Sequence, residues 1–292
     1  MKKQVIFRGA ATALITPMRD GEIDYESLGK IIDMQIEGGI EALVVGGTTG
    51  EAATLTDAEK YSLFEFARER VGERARLIFG VGTNDTRAVL RHAREAERIG
   101  CDGLLAVTPY YNKGTSSGIV KHYLLIAEET SVPVLLYNVP SRTGVNLGFA
   151  ELDVLASHKN IVGIKEAGDS LDRYVRLASY GEALPLYAGN DSQIYSLLSL
   201  GGCGVISVIS NAYPTLVRDI CESFFLGKDN ESRTLQLRAL PFIRALFSET
   251  NPTPIKYVMS RLGLSRDEVR LPLYTASEET RALLDRRISE FK

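Results

Sequence analysis

Short apolar runs alternate with amphipathic helical patterns through most of the chain. The runs start 20 to 35 residues apart, which suits one strand and one helix per unit. Continuous apolar strands separated by helices indicate a parallel sheet whose outer face is covered. The eight runs are Ala10–Ile15, Ala42–Gly46, Leu77–Val81, Gly103–Val107, Val134–Tyr137, Ile161–Lys165, Leu184–Ala188 and Gly204–Val208.

Eight such units predict an α/β fold of the (β/α)8 TIM barrel type over residues 1–225. A doubly wound open sheet is the alternative. It is disfavoured because the Gly-rich stretch at 80–85 has neither the third glycine nor the lysine of a phosphate-binding loop. Thr56–Glu59 predicts a capping box at the start of one of the outer helices.

The alternation of strands and helices ends at about Phe225, and the pattern of the remaining sequence predicts helices only. We therefore expect a C-terminal helical domain over residues 226–292, beginning after a turn at 227–230. The predicted helices are Leu235–Phe247, Thr253–Leu262 and Ser277–Phe291.

Composition and charge narrow the function classes. The chain has 292 residues, 45% hydrophobic and 24% charged, and a net charge of -3. This balance argues against nucleic acid or an anionic membrane as a partner, since both need a basic face. Three scattered cysteines and three histidines predict no metal site. The basic N-terminus lacks the apolar segment of a signal peptide, and no run reaches the ~20 residues of a spanning helix, so we expect a cytoplasmic protein.

The sixth run ends in a lysine, which makes Lys165 the leading candidate for chemistry. Strand alternation predicts that Ile161, Gly163 and Lys165 share one face, and that Val162 and Ile164 share the other. An ammonium held at the end of an apolar strand is poorly solvated, and desolvation favours the neutral, nucleophilic amine. The alternative is a lysine that simply turns out into solvent.

Active sites of such barrels lie at the C-terminal ends of the strands, so the loops that follow the runs are considered together. These loops contain a Gly-Thr-rich turn at 46–51, tyrosines at 110–111, and Tyr137 followed by an arginine-bearing loop. A neutral lysine can form an imine with a ketone, hydroxyls can relay protons, and an arginine can bind a carboxylate with two hydrogen bonds. The set predicts a class I aldol-type reaction on a 2-oxo acid, without metal or cofactor.

The ordered motifs resemble those of the dihydrodipicolinate synthases, the pyruvate-dependent barrel aldolases of lysine biosynthesis, over essentially the whole chain. The motifs are Gly46–Glu51, Tyr137–Gly144, Gly163–Glu166, Gly204–Ser207 and Asn251–Lys256. The resemblance implies a condensation of pyruvate with L-aspartate 4-semialdehyde. Sister aldolases that act on sugar acids and a non-catalytic barrel are the alternatives.

Roles for individual residues follow from the resemblance alone. It implies that Lys165 forms the Schiff base and that Tyr137 carries protons beside it. Thr48 would link Tyr137 to Tyr111, which would reach in from a neighbouring subunit of a homotetramer built as a dimer of dimers.

Substrate-binding roles are carried over in the same way. Thr49, with the Thr48 backbone, would hold the pyruvate carboxylate, and Arg142 would bind the carboxylate of aspartate semialdehyde. Gly189 and the Ile206 carbonyl would line the site.

Family members inhibited by lysine bind it at a subunit interface. The corresponding positions here are Ala52, Ala53, Lys60, Asn84, Ala88 and Tyr110. In the inhibited bacterial enzymes the position of Lys60 is typically His and that of Ala88 is Glu, whose carboxylate would pair with the ligand's amino group. We therefore expect weak inhibition by lysine or none.

Overall fold

Eight parallel strands close into a barrel, which confirms the predicted fold. The computed structural model describes residues 2–291. The barrel strands are β1 (Gly9–Ala13), β4 (Ala42–Val45), β5 (Arg76–Gly80), β6 (Gly103–Val107), β7 (Val134–Asn138), β8 (Ile161–Glu166), β9 (Leu186–Ala188) and β10 (Gly204–Ser207). β1 pairs with both β4 and β10 and so closes the ring. A separate small hairpin of β2 (Met18–Arg19) and β3 (Glu22–Ile23) follows the first strand.

Helices connect successive barrel strands and cover the outer face of the sheet. They are α1 (Tyr25–Glu37), α2 (Asp57–Val71), α3 (Thr86–Ile99), α4 (Ser116–Glu129), α5 (Pro140–Thr143), α6 (Phe149–Ser157), α7 (Leu171–Ala178) and α8 (Ile194–Ser199), with short 3₁₀ turns at Gly181–Ala183, Asp191–Gln193 and Ile209–Asn211. The predicted capping box is present. The Thr56 side chain accepts from the Glu59 backbone, and the Glu59 carboxylate accepts from the Thr56 backbone.

The C-terminal part of the chain is helical, as expected. α9 (Pro214–Phe225) follows the last barrel strand and lies before residue 226; the helices after it are α10 (Asp229–Leu246), α11 (Thr253–Arg261) and α12 (Glu278–Glu290). The predicted start of α10 at Leu235 and the extent of the turn at 227–230 were wrong. The chain turns at Gly227, which has a φ of 75°, and acidic residues in the first turn favour an earlier helix start at Asp229. Within residues 2–291, no helix is both long and apolar enough to cross a membrane.

The simple alternation predicted for β8 is broken by a bulge. Val134 pairs with Ile161 but Leu135 pairs with Gly163, so one extra residue, Val162, is inserted. Val162 therefore packs with the interior cluster, while Ile161 and Ile164 both pack in the outer core. A bulge re-aims the side chains that follow it. Here it lies three residues before Lys165, in the strand that carries it.

Two apolar clusters surround the sheet. The inner one fills the barrel with small and branched side chains, including Ala11, Ala42, Val44 and Ile206, and Tyr187 stacks on Phe7 with ring centroids 4.5 Å apart. The outer cluster lies between strands and helices and continues into α10, α11 and α12. The division of the chain at residue 225 stays a prediction.

Candidate active site

One cavity opens where the barrel strands end. Its volume is about 510 Å³, and it is lined by the loop after β4, by the ends of β5, β6 and β7, and by two segments near the C-terminus. Thr48, Tyr137 and Arg142, three of the residues predicted to act together, lie on its wall. The strand topology therefore brings distant parts of the chain to one mouth, as the barrel predicts.

Lys165 is not among the residues that line the cavity; it is buried beside Tyr137, which is, and does not turn out into solvent. Its side chain is 5% exposed, and its Nζ is 4.4 Å from the centroid of the Tyr137 ring. Burial lowers the pKa of Lys165 to about 8, with the carboxylate of Asp191 opposing the shift and Arg142 adding to it. More of this lysine is therefore neutral near pH 7 than of an ordinary lysine, which favours its use as a nucleophile.

Gly163, two positions before this lysine, is closely packed against its neighbours. A Cβ at Gly163 would come within 2.7 Å of the carbonyl oxygen of Pro185 and 3.0 Å of Leu135. Any larger residue would push against the backbone of the next strand. The small residue two positions before Lys165 on the inner face is thus required by packing.

Tyr137 is buried beside Lys165 at a paired position of the neighbouring strand. Burial raises the pKa of its phenol, and the positive charge of Arg142 and the nearby Thr48 hydroxyl oppose this rise. The phenol stays protonated at neutral pH, so it can both donate and accept a hydrogen bond. That is the property a proton carrier needs.

The loop at 46–51 is held from several sides. Gly46 has a φ of 65°, and a Cβ there would lie 2.7 Å from the Phe64 ring. The Thr16 hydroxyl donates to the carbonyl oxygen of Gly50 at 2.8 Å, and Glu51 forms a fully buried ion pair with Lys256. Thr49 is 3% exposed, and its hydroxyl accepts from Asn251 Nδ2 at 2.9 Å. The loop is therefore pre-organised before any ligand binds.

Arg142 lies in the one-turn helix α5, directly after the strand that carries Tyr137. Its Nη2 donates to the carbonyl oxygen of Asn251 at 3.0 Å, and Arg142 is an exposed residue on the wall of the cavity. The left-handed Gly144 ends the helix, with a φ of 66°. A guanidinium has further N–H donors, which suit a carboxylate.

The other predicted residues are placed differently. Ile206 is buried on β10, and the Gly189 backbone N–H donates to the Glu166 carbonyl oxygen at 2.6 Å at the end of β9. Tyr111 is 88% exposed, has a φ of 72° and does not line the cavity, whereas Tyr110 does. Within one chain, Tyr111 is not brought to Thr48 and Tyr137, so its role stays a prediction.

Comparisons with known proteins agree with this geometry. The Dihydrodipicolinate synthetase family model matches residues 6–291. The chain belongs to this family. It is 43% identical to the 4-hydroxy-tetrahydrodipicolinate synthase of Thermotoga neapolitana over 284 residues, covering 96% of this chain and 97% of that protein. These findings confirm the predicted resemblance and the expectation of an enzyme of this family.

Solved structures of family members superpose closely. Dihydrodipicolinate synthase from Thermotoga maritima has a TM-score of 0.96 and 40% identity, covering 98% of this chain and 99% of that one. The chloride-inhibited enzyme from Acinetobacter baumannii, complexed with pyruvate, has a TM-score of 0.95 and 35% identity, covering 97% and 98%.

Asp191 was not among the candidate site residues predicted from the sequence. It is 1% exposed, and its Oδ2 accepts from the backbone N–H groups of Val208 and Ile209 at 3.0 and 2.9 Å. Burial raises the pKa of this carboxyl, and the Ser207 hydroxyl, these two backbone groups and Lys165 oppose the rise. Its charge in turn favours the protonated form of Lys165. Its position in the loop three residues after β9 is the feature of the sequence that could have indicated a site residue.

A buried polar network also escaped the sequence reasoning. Glu166 is fully buried; both its carboxylate oxygens accept from Asn138 Nδ2 at 2.9 Å, and one accepts from Arg173 Nε at 2.8 Å. Asn138 and Glu166 are a register pair immediately after the pair Tyr137 and Lys165. The network therefore fixes the two strand ends that carry the central tyrosine and lysine.

Proposed function

We propose that this chain condenses pyruvate with L-aspartate 4-semialdehyde through a Schiff base on Lys165, giving 4-hydroxy-tetrahydrodipicolinate. The observation that carries the proposal is the buried Lys165 Nζ, 4.4 Å from the Tyr137 ring centroid, in a lysine whose pKa is lowered to about 8. Such an amine attacks a ketone carbon readily near neutral pH. The names of the family relatives support the same reaction.

In the proposed reaction, neutral Lys165 adds to C2 of pyruvate, and loss of water forms the imine. Tyr137 gives its proton to the hydroxyl that leaves as water and then, as the phenolate, takes a proton from the pyruvate methyl group. The resulting enamine carbon attacks the aldehyde carbon of the second substrate. Tyr137, which is protonated, gives a proton to the new alkoxide. Attack by the amino group of the second substrate on the imine carbon closes the ring and releases Lys165.

The substrate carboxylates are assigned to two groups at the mouth. Thr49 and the Thr48 backbone are proposed to hold the pyruvate carboxylate, and Gly189 and the Ile206 carbonyl to line that side of the site. Arg142 is proposed to bind the carboxylate of aspartate semialdehyde, supported by its exposed position on the cavity wall.

A neighbouring subunit is part of the proposal. Tyr111 is 88% exposed on a loop beside the cavity, which suits a residue that enters the site of a second copy of the chain. We propose that Tyr111 completes a relay with Thr48 and Tyr137 in a homotetramer built as a dimer of dimers. A cytoplasmic location is proposed as well, supported by the three free thiols.

Borohydride trapping tests the imine. Reduction in the presence of pyruvate is expected to leave a stable carboxyethyl group on Lys165 that peptide mass spectrometry locates. Lys256 is the internal control, since it is fully buried in an ion pair with Glu51. An unmodified Lys165 after reduction would exclude the imine, and a comparison of aspartate semialdehyde with sugar-acid substrates identifies the acceptor.

A further inference from the structure

Asn251 connects the C-terminal helical region to both predicted carboxylate-binding groups. It is 5% exposed, borders the cavity, and contacts Thr49 through its side chain and Arg142 through its main chain. We propose that Asn251 is a positioning residue that turns the Thr49 hydroxyl toward the carboxylate of bound pyruvate. The inference rests on the proposed function and adds a residue to it.

The side-chain bond determines where the Thr49 hydrogen can point. Asn251 Nδ2 donates to Thr49 Oγ1 at 2.9 Å, and an amide NH₂ group cannot accept a hydrogen bond. A hydroxyl has one hydrogen and two acceptor positions, so Thr49 keeps its O–H free for another acceptor. A carboxylate is such an acceptor, and a donor already oriented loses less entropy when the ligand binds.

A second observation indicates that the Asn251 side chain serves the site rather than the stability of the fold. Among the described residues, no group donates to Asn251 Oδ1, although this atom is buried. A buried acceptor left without a partner is unfavourable. A side chain present only to hold the fold would have both ends of its amide satisfied. The described residues thus satisfy only one end of the Asn251 amide, the end that contacts Thr49.

The main chain makes the two contacts separable. Arg142 Nη2 donates to the Asn251 carbonyl oxygen at 3.0 Å, an atom that every side-chain variant retains. The segment is also anchored by Lys256, whose Nζ pairs with buried Glu51 and donates to the carbonyl oxygen of Glu268 at 2.8 Å. Replacing the Asn251 side chain should therefore change the orientation of Thr49 and leave Arg142 in place.

Asn251→Ala and Asn251→Asp test this assignment. In Asn251→Ala we expect the pyruvate concentration for half-maximal borohydride trapping to rise about fivefold to tenfold, the effect of one hydrogen bond. The KM for aspartate semialdehyde should stay within about twofold, because the contact with Arg142 is to the backbone. Asn251→Asp has a similar volume but can only accept, so it should draw the Thr49 hydrogen to itself and impair pyruvate binding further.

A double variant separates positioning from general structure. In a Thr49→Val background, Asn251→Ala should have no further effect on the pyruvate concentration for half-maximal trapping, since the group it orients is absent. A full effect in that background, or equal increases for both substrates, would overturn the assignment. Unchanged pyruvate binding in Asn251→Asp would also overturn the assignment. If Asn251→Ala does not fold, Asn251→Asp provides the test in its place. Failure of the wild type to trap pyruvate would remove the proposed function, and this inference with it.

Discussion

The ring of Tyr137 faces the ammonium of Lys165, with Nζ 4.4 Å from the ring centroid, and the two residues are partners in the register of β7 and β8. The next register pair is Asn138 and Glu166. These two residues are joined by buried hydrogen bonds of 2.9 Å. The distance between the predicted nucleophile and the predicted proton carrier is therefore set by strand pairing.

The first prediction concerns pH. Because the pKa of Lys165 is lowered to about 8, the rate of pyruvate imine formation should increase with pH and level off above about 8. Asp191 favours the charged lysine, so Asp191→Asn should shift the midpoint to lower pH. Borohydride trapping, stopped at fixed times over a series of pH values, measures both the pH dependence of the rate and the shift of its midpoint. A midpoint near the ordinary lysine value of about 10.4 would contradict the burial argument.

Arg142 gives the second prediction. Arg142→Ala should reduce condensation on the order of a hundredfold through loss of a charge-assisted contact, while imine formation with pyruvate stays within a few-fold. Arg142→Lys is the matched control, since it keeps the charge and loses the paired donors, and it should be intermediate. Steady-state kinetics and trapping on the same preparations measure the two steps. Equal losses in both would place Arg142 in the pyruvate step instead.

The third prediction concerns inhibition by lysine. Lys60 is 7% exposed and borders the active-site cavity together with Ala52, Ala53, Ala88 and Tyr110. Burial lowers its pKa, with Asp57 opposing the shift. An ammonium at this position and an alanine at 88 disfavour a cationic ligand, so lysine should inhibit weakly or not at all. A micromolar inhibition constant would refute this, and Lys60→His with Ala88→Glu should increase sensitivity.

The barrel and the position of Lys165 at the end of a buried strand could be predicted because both depend on local patterns. Continuous apolar runs with helical spacing indicate parallel strands, and Lys165 ends one of these runs. The bulge at Val162 could not be predicted, because it depends on how β8 pairs with β7, and this pairing is invisible in one strand's sequence.

The long-range polar contacts could not be predicted from the sequence for a related reason. Asn251 and Thr49 are 202 residues apart, and Lys256 and Glu51 are 205 apart, so no local pattern connects them. The C-terminal helices read as packing elements from the sequence alone. In the structure, Lys256 of α11 holds Glu51 of the loop at 46–51, and Asn251, just before α11, contacts Thr49 and the Arg142 guanidinium. This contribution to the site appears only in three dimensions.

The buried pair between Lys256 and Glu51 gives the fourth prediction. Both side chains are fully buried, and Glu51 also accepts from the Arg270 backbone N–H at 2.9 Å. Lys256→Met should lower the free energy of unfolding by about 3–5 kcal/mol, because it leaves a buried carboxylate without its partner. Denaturant unfolding measures the loss. The double variant Lys256→Met/Glu51→Gln is the control and should recover much of it. A single variant as stable as the wild type would contradict the argument.

His122 gives the last prediction. Its side chain is buried, its Nδ1 is 2.9 Å from the Thr86 hydroxyl, and burial lowers its pKa to about 4. The unfolded chain, with an ordinary pKa of about 6.5, binds the proton first, so stability should fall as the pH decreases from about 6.5 to about 4. The loss should reach up to about 3 kcal/mol, since each pKa unit corresponds to about 1.4 kcal/mol. Denaturant unfolding at a series of pH values measures it. His122→Gln should flatten the curve in this window, and a variant with the same slope as the wild type would contradict the argument.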